Sequence, residues 1–311
     1  MRARYAFLTA LLLICGAAGQ TKNLGAIATL KFYAAAQGNS FAVGTSPTSV
    51  VFDGQSIWVG NGPSRSVTKL RASDGAEVGT FPTPDFAPSL AFDGANLWIP
   101  NPHQHSVTKM KASDGTILGV FQVGLTPGGG VAFDGINVWV SNSAENTITK
   151  LRAVDGVNLG TFRTGTDPLG VAFDGTNIWV ANNTDSTVTK LRASDGAFLG
   201  TFATGHGPRR IVFDGASVWV ANAFSNSVTK LRTSDGANQG TFIVGQNPVA
   251  LVFDGSSVWV TNFTDNTVTR VRSSDGVNLG SFPTGRSPVS AAFDGANIWI
   301  VNTADNSVSK L

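Results

Sequence analysis

The 311-residue chain carries 36 glycines, a single cysteine, and 22 basic against 20 acidic residues. Without the leader argued below, which holds Arg2 and Arg4, the balance is 20 against 20. That neutrality leaves no electrostatic footprint for nucleic acid or an anionic membrane. Cys15 lies in the same leader, so the mature protein is expected to hold neither a disulfide nor a thiol nucleophile.

The first element is residues 1–19. Arg2 and Arg4 precede an apolar run from Ala6 through Ala18, closed by the small residues Ala17, Ala18 and Gly19. This is the order of a secretory signal peptide, with cleavage expected after Gly19. The run is shorter than the ~20 residues of a spanning helix, and no later segment approaches that length. Lipid attachment at Cys15 is disfavoured because Ile14 stands where a small residue is wanted. The expected location is therefore secreted or periplasmic, with no membrane span in the mature chain. Residues 20–37 stand outside any repeat, although Leu30-Lys31-Phe32-Tyr33 faintly echoes a strand, and their structure is left open.

Residues 38–311 are dominated by one repeat. Phe-Asp-Gly recurs with its Phe at 52, 92, 133, 173, 213, 253 and 293, each followed by Trp at 58, 98, 139, 179, 219, 259 and 299. Within the unit from Pro208 to Gly245, turn residues separate four strand-like runs: Arg210 to Phe213, Ser217 to Ala221, Ser227 to Arg232 and Gln239 to Val244. The Asp-Gly pairs between them supply the positive φ that tight turns demand, so the unit reads as an antiparallel meander. The second run, as in Val218-Trp219-Val220, is apolar on consecutive residues, so both of its faces must be buried. A four-stranded sheet covered on both sides, repeating every 40 residues or so, is a propeller blade. The tryptophans are expected between blades.

A linear solenoid would share this period, and the chain ends decide between the two. The seventh unit stops at Leu311 after its third strand, while Ser40-Phe41-Ala42-Val43-Gly44 matches the fourth-strand segment Thr241-Phe242-Ile243-Val244-Gly245. The predicted fold is thus all-β, a seven-bladed β-propeller of four-stranded antiparallel blades whose N-terminal strand completes the last blade. Closure removes the exposed edges that an open array must cap.

With Trp259-Val260-Thr261-Asn262 followed by Asn266-Thr267-Val268-Thr269, the units resemble the YVTN/NHL-type β-propeller repeat proteins, with Trp in place of Tyr. The resemblance spans about residues 38 to 311 and implies the propeller fold. The family includes surface-layer and exported proteins beside a few enzymes, so it implies no single activity. Streptogramin lyases are similar in architecture, and their chemistry rests on histidine and glutamate around a magnesium ion. None of those positions is matched here.

In such a meander the near-constant Phe-Asp-Gly and Ser-Asp-Gly turns share one end of the ring, and the loops that vary from copy to copy share the other. Variation among copies marks positions released from the structural template, so recognition is expected at the variable end. All three histidines fall there: His103 and His105 in Pro100-Asn101-Pro102-His103-Gln104-His105, and His206 just before Arg209 and Arg210. The pattern is most disturbed at Pro82-Thr83-Pro84-Asp85-Phe86-Ala87-Pro88 and at the inserted Gly128-Gly129-Gly130. The candidate ligand-binding residues are Asp85, Phe86, His103, Gln104, His105, Asp167, His206, Arg209, Arg210 and Arg286. For any one of them the competing explanation is drift in a solvent-exposed loop.

Catalytic sets are incomplete. His103 and His105 have metal-ligand spacing, but His206 lies three blades away. Glu77 and Glu145 are the only glutamates, which argues against a paired-glutamate mechanism, and no Gly-x-Ser-x-Gly elbow occurs. The seven repeat aspartates are expected to cap their own turns rather than ring a calcium ion. Third-strand Lys and Arg residues, such as Lys190 and Arg192, are expected to form a solvated face. These readings favour a monomeric scaffold without a cofactor, binding an unknown protein, glycan or small ligand. The alternative is a metal-assisted lyase or hydrolase at the same face.

Overall fold

The computed structural model describes residues 40–311. The expected signal peptide and the segment 20–37 lie outside the described residues, as do the first two residues of the expected propeller. The described chain forms seven four-stranded antiparallel sheets, six of them built from consecutive strands. In blade five the strands are Pro208–Phe213, Ser217–Asn222, Ser227–Arg232 and Asn238–Ile243, within two residues of the boundaries that the turn residues mark. The first strands of successive blades touch one another around the axis, and the fourth strands form the rim. Blade seven is shared between the chain ends: Ser40–Ala42 pairs with Ser307–Lys310 in the register Ser40↔Ser309, Phe41↔Val308, Ala42↔Ser307.

Two blades depart from the template. In blade two the first strand shrinks to Ala91–Phe92; Pro88, one place inside the position where the other blades begin this strand, has no N–H to donate to a ladder. In blade three the added glycine is absorbed by a seven-residue strand, Pro127–Phe133, whose register breaks between Pro127 and Val131.

Each blade is sealed to the next by the same few residues. Every residue of Ser217–Asn222 is buried, and core clusters mix neighbouring blades, as where Trp299, Val301 and Val308 meet Val50, Ile57 and Leu70. The repeat aspartate does more than cap its turn. One oxygen of Asp214 accepts from the backbone N–H of Ala216 and Ser217, and the other accepts from Trp219 Nε1 at 2.7 Å. The same indole bond, 2.7–2.8 Å, recurs in all seven blades. The fourth-strand Phe242 lies 5.5 Å from Trp219 and covers Gly276 in the next blade. That glycine has φ +76°, and a Cβ there would overlap the Phe242 ring.

The third-strand cations correct the expectation of a solvated face. Arg192 is exposed beside Asp195, but Lys190 is only 6% exposed. Its ammonium stands 5.0 Å over the Trp179 ring and donates to the Thr233 carbonyl of the next blade at 2.6 Å. The two side chains share a strand face. Lys190, however, pairs across the sheet with Trp179, one step further from the strand end, where the neighbouring turn covers it. Its four methylenes lie on apolar surface while its charge finds a carbonyl and an aromatic face.

Candidate ligand site at the channel mouth

Seven inner strands surrounding one axis leave a channel whose lining is set by how each strand begins. The residue four places before the repeat Phe is Thr48, Pro88, Gly129, Leu169, Arg209, Val249 or Val289, one from each blade. Together these line a cavity of about 390 Å³ at the variable-loop end, joined by Arg210, Asn247, Phe263 and Thr303. A second cavity of about 130 Å³ lies along the same inner strands, lined by Ser49, Ser89, Ala250 and Ser290 among others, and Arg210 borders both. A larger hollow of about 560 Å³ sits between blades one and two, lined by Asp53, Lys69, Phe92 and Gly94. Asp53, Phe92 and Gly94 belong to the constant template, whereas the column that lines the axial cavity varies from blade to blade.

Arg210 reaches across the channel from blade five to blades two and three. Its guanidinium donates to the Pro88 carbonyl at 3.3 Å, to Ser89 Oγ at 3.4 Å and to the Gly129 carbonyl. Burial, and secondarily the charge of Arg209, push its pKa down to about 10, so it remains a cation at neutral pH. Arg209 Nε is buried and makes no hydrogen bond. Among the described residues neither arginine forms a salt bridge. Asp167 is the carboxylate whose field Arg209 feels; burial raises its pKa, and the attraction of Arg209 offsets this only in part.

A second cluster ties blades one and two. Asp85, 2% exposed, accepts from the His103 backbone N–H at 2.7 Å and from Phe86 N–H at 2.9 Å, and its Oδ1 lies 2.9 Å from His103 Nδ1. Burial acts to raise the Asp85 carboxyl, but the bonds from His103 and Phe86 outweigh it and the net direction is down. Phe86 meets the His103 ring edge-on at 5.3 Å, and Gln104 donates to the Pro84 carbonyl. Elsewhere this junction works in reverse. Asp185, Ser225, Asp265 and Asp305, one place after the His103 column, accept from the backbone N–H of Thr166, His206, Gln246 and Arg286. Asp85 and His103 are thus blade two's substitute for a common loop clamp.

The remaining candidates separate. His105 occupies a left-handed position (φ 52°) where other blades place Asn146, Asn226, Asn266 or Asn306, and its Nδ1 accepts from Thr126 N–H at 3.3 Å. His206 is exposed, with Nδ1 3.3 Å from Ser186 Oγ. Arg286 pairs with Asp305 at 2.6 Å on the surface. The structure therefore gathers Arg209 and Arg210 in the cavity with Asp167 beside them, puts Asp85, Phe86, His103 and Gln104 at one blade junction, and leaves His105, His206 and Arg286 apart.

No family model and no curated protein matches the chain, but solved structures do. The fold is similar to that of streptogramin B lyase. The likeness covers 87% of this chain and 95% of the lyase, with a TM-score of 0.75 at 16% identity. Virginiamycin B lyase from Staphylococcus aureus aligns over 87% and 97% of the two chains (TM-score 0.75, 19% identity). A chain of hydrazine synthase from Kuenenia stuttgartiensis aligns over 86% and 95% (TM-score 0.76, 19% identity). At these identities what is shared is the seven-bladed architecture. The magnesium centre implied by the streptogramin lyase resemblance does not fit these residues. Among the described residues no three His, Cys, Asp or Glu side chains stand close enough to hold a metal ion.

Several cavity residues escape the candidate set drawn from sequence. Phe263 follows the strand-ending Asn262, where the other blades place Gly62, Pro102, Ser143, Asn183, Ala223 and Thr303; an aromatic in that column was the available signal. Asn247, Val249 and Val289 carry no such mark, since Asn and Val are common throughout the repeat.

Proposed function

We propose that the protein is an exported binding protein that takes a small molecule into the axial cavity at its variable-loop end. The observation that carries this reading is the cavity itself: every blade contributes a residue of the same column to it, and that column varies among Thr, Pro, Gly, Leu, Arg and Val although the surrounding template is nearly constant. Its volume falls within the range of about 300–1,000 Å³ usual for ligand pockets. Its mixture of apolar walls and a few polar groups is likewise the usual composition of such sites.

The test is a thermal-shift screen of small metabolites on the mature chain from Gln20, repeated on Val249→Trp, which fills the cavity. Compounds that raise the wild-type melting temperature are expected to lose their effect in the variant. Hits that survive filling would refute the site. For export, the mature protein recovered outside the cytoplasm is expected to begin at Gln20. A metal-assisted lyase or hydrolase remains the second reading, favoured by the hydrogen bond that orients His103 on Asp85. Stoichiometric metal in the purified protein, lost on His103→Ala, would establish that reading in place of the first.

A further inference from the structure

We infer that the axial cavity is a carboxylate site: Arg209 and Arg210 hold the acid group of a compact organic acid whose apolar body lies against Leu169, Val249, Val289 and Phe263. The inference rests on the cavity being the recognition site.

The repeat supplies its own control. At the two positions occupied by Arg209 and Arg210, the other six blades carry uncharged pairs, from Thr48-Ser49 in blade one to Val289-Ser290 in blade seven, and they form the same sheet. Nothing in the blade demands a cation there. Two adjacent guanidinium groups in a narrow channel repel each other, and holding a charge away from water is costly unless it is paired. Yet the acceptors of Arg210 are neutral, and Arg209 Nε is buried with no acceptor at all. A bound carboxylate would supply both acceptor and counter-charge, in the geometry for which the guanidinium fork is suited.

The charge count fixes the valence. Two cations stand beside one carboxylate, Asp167, which leaves one positive charge to neutralise and selects a monoanion. A cavity of about 390 Å³ lies near the small end of ligand pockets, which suits a compact acid. Leu169, Val249 and Val289 add an apolar wall that a simple inorganic anion would leave wet.

The test is calorimetric titration of the mature chain with matched acid and amide probes: hexanoate and hexanamide, benzoate and benzamide, phenylacetate and phenylacetamide. At least one acid is expected to bind at least about tenfold more tightly than its amide, the usual weight of a charge-assisted hydrogen bond. Arg209→Gln should bring that acid down to the level of its amide, and Arg209→Lys should restore part of the difference. Asp167→Asn should tighten acid binding, while Arg286→Gln, a charge removed outside the cavity, should change nothing. Because Arg209 Nε has no hydrogen-bond partner to lose and the residue forms no salt bridge among the described residues, its variants are expected to keep the wild-type melting temperature. If amides bind as well as acids, or if no acid binds while an uncharged compound does so and is lost on Val249→Trp, the carboxylate site is refuted and the cavity reading stands. If acids bind equally to wild type, Arg209→Gln and Val249→Trp, both are wrong.

Discussion

The Asp214 carboxylate accepts two backbone N–H groups of its own turn and the indole N–H of Trp219, a side chain with no exposed surface. Removing it strands three donors, one of them deep between blades. Asp214→Ala is therefore expected to cost about 2–4 kcal/mol in equilibrium urea unfolding, and Asp214→Asn less, because the amide oxygen keeps part of the set. Three carboxylates of this column give the fold an acid limit. At Asp93, Asp254 and Asp294 burial pushes the pKa up, but the indole, backbone and neighbouring side-chain donors outweigh it, so each sits below the ordinary value of 3.8. A carboxyl whose folded pKa is depressed stabilises the native state above its unfolded pKa and loses that contribution as pH falls through the folded value. These groups should therefore leave the melting temperature level from pH 7 to about pH 5 and lower it below about pH 4, a dependence that Asp93→Asn should weaken.

The short strand Ser40–Ala42 matters through Phe41, which joins the seventh blade to the first. Its ring lies 5.5 Å from Trp299 and over Gly75, as Phe242 lies on Trp219 and over Gly276. Phe41→Ala should cost about 2–3 kcal/mol in denaturant unfolding, somewhat less than for a fully buried Phe because this ring is partly exposed. An unchanged midpoint would show that the strand closes the ring by its backbone alone. The strand itself was legible in the sequence, because a fourth-strand pattern at one end matched a gap at the other. Strand boundaries were legible too, since Asp-Gly turns and doubly apolar runs are local signals. What was not legible depends on the neighbouring blade, as do the burial of Lys190 under the Thr233 carbonyl and the cover of Gly276 by Phe242, or on side-chain geometry within a blade, as does the indole bond that makes each repeat aspartate a packing residue. Of the cavity, Arg209 and Arg210 could be read because they break their columns. Val249 could not, because its place on the axis follows from how seven inner strands close rather than from any feature of its own.

For the whole molecule, the decisive property is where the covalent chain is interrupted relative to the ring. Each blade interface is held by the same contacts, but the seam at blade seven is also held by a ladder between chain ends, so opening the ring there breaks a sheet as well as an interface. A circular permutant tests this directly. Leu311 would be joined to Ser40 through nine residues, the number between Leu231 and Thr241, which hold the matching places in blade five, and new ends would be cut between Gly245 and Gln246. Every strand pair is retained and the axial cavity keeps all seven inner strands, so the permutant should fold and bind as the parent does. Its ring now opens between blades five and six with no ladder to break. Unfolding in denaturant should therefore be at least about tenfold faster, equivalent to about 1.4 kcal/mol in the barrier, with the folding rate little changed. Equal unfolding rates would mean that interface packing, led by the seven tryptophans, holds the ring without help from the shared blade.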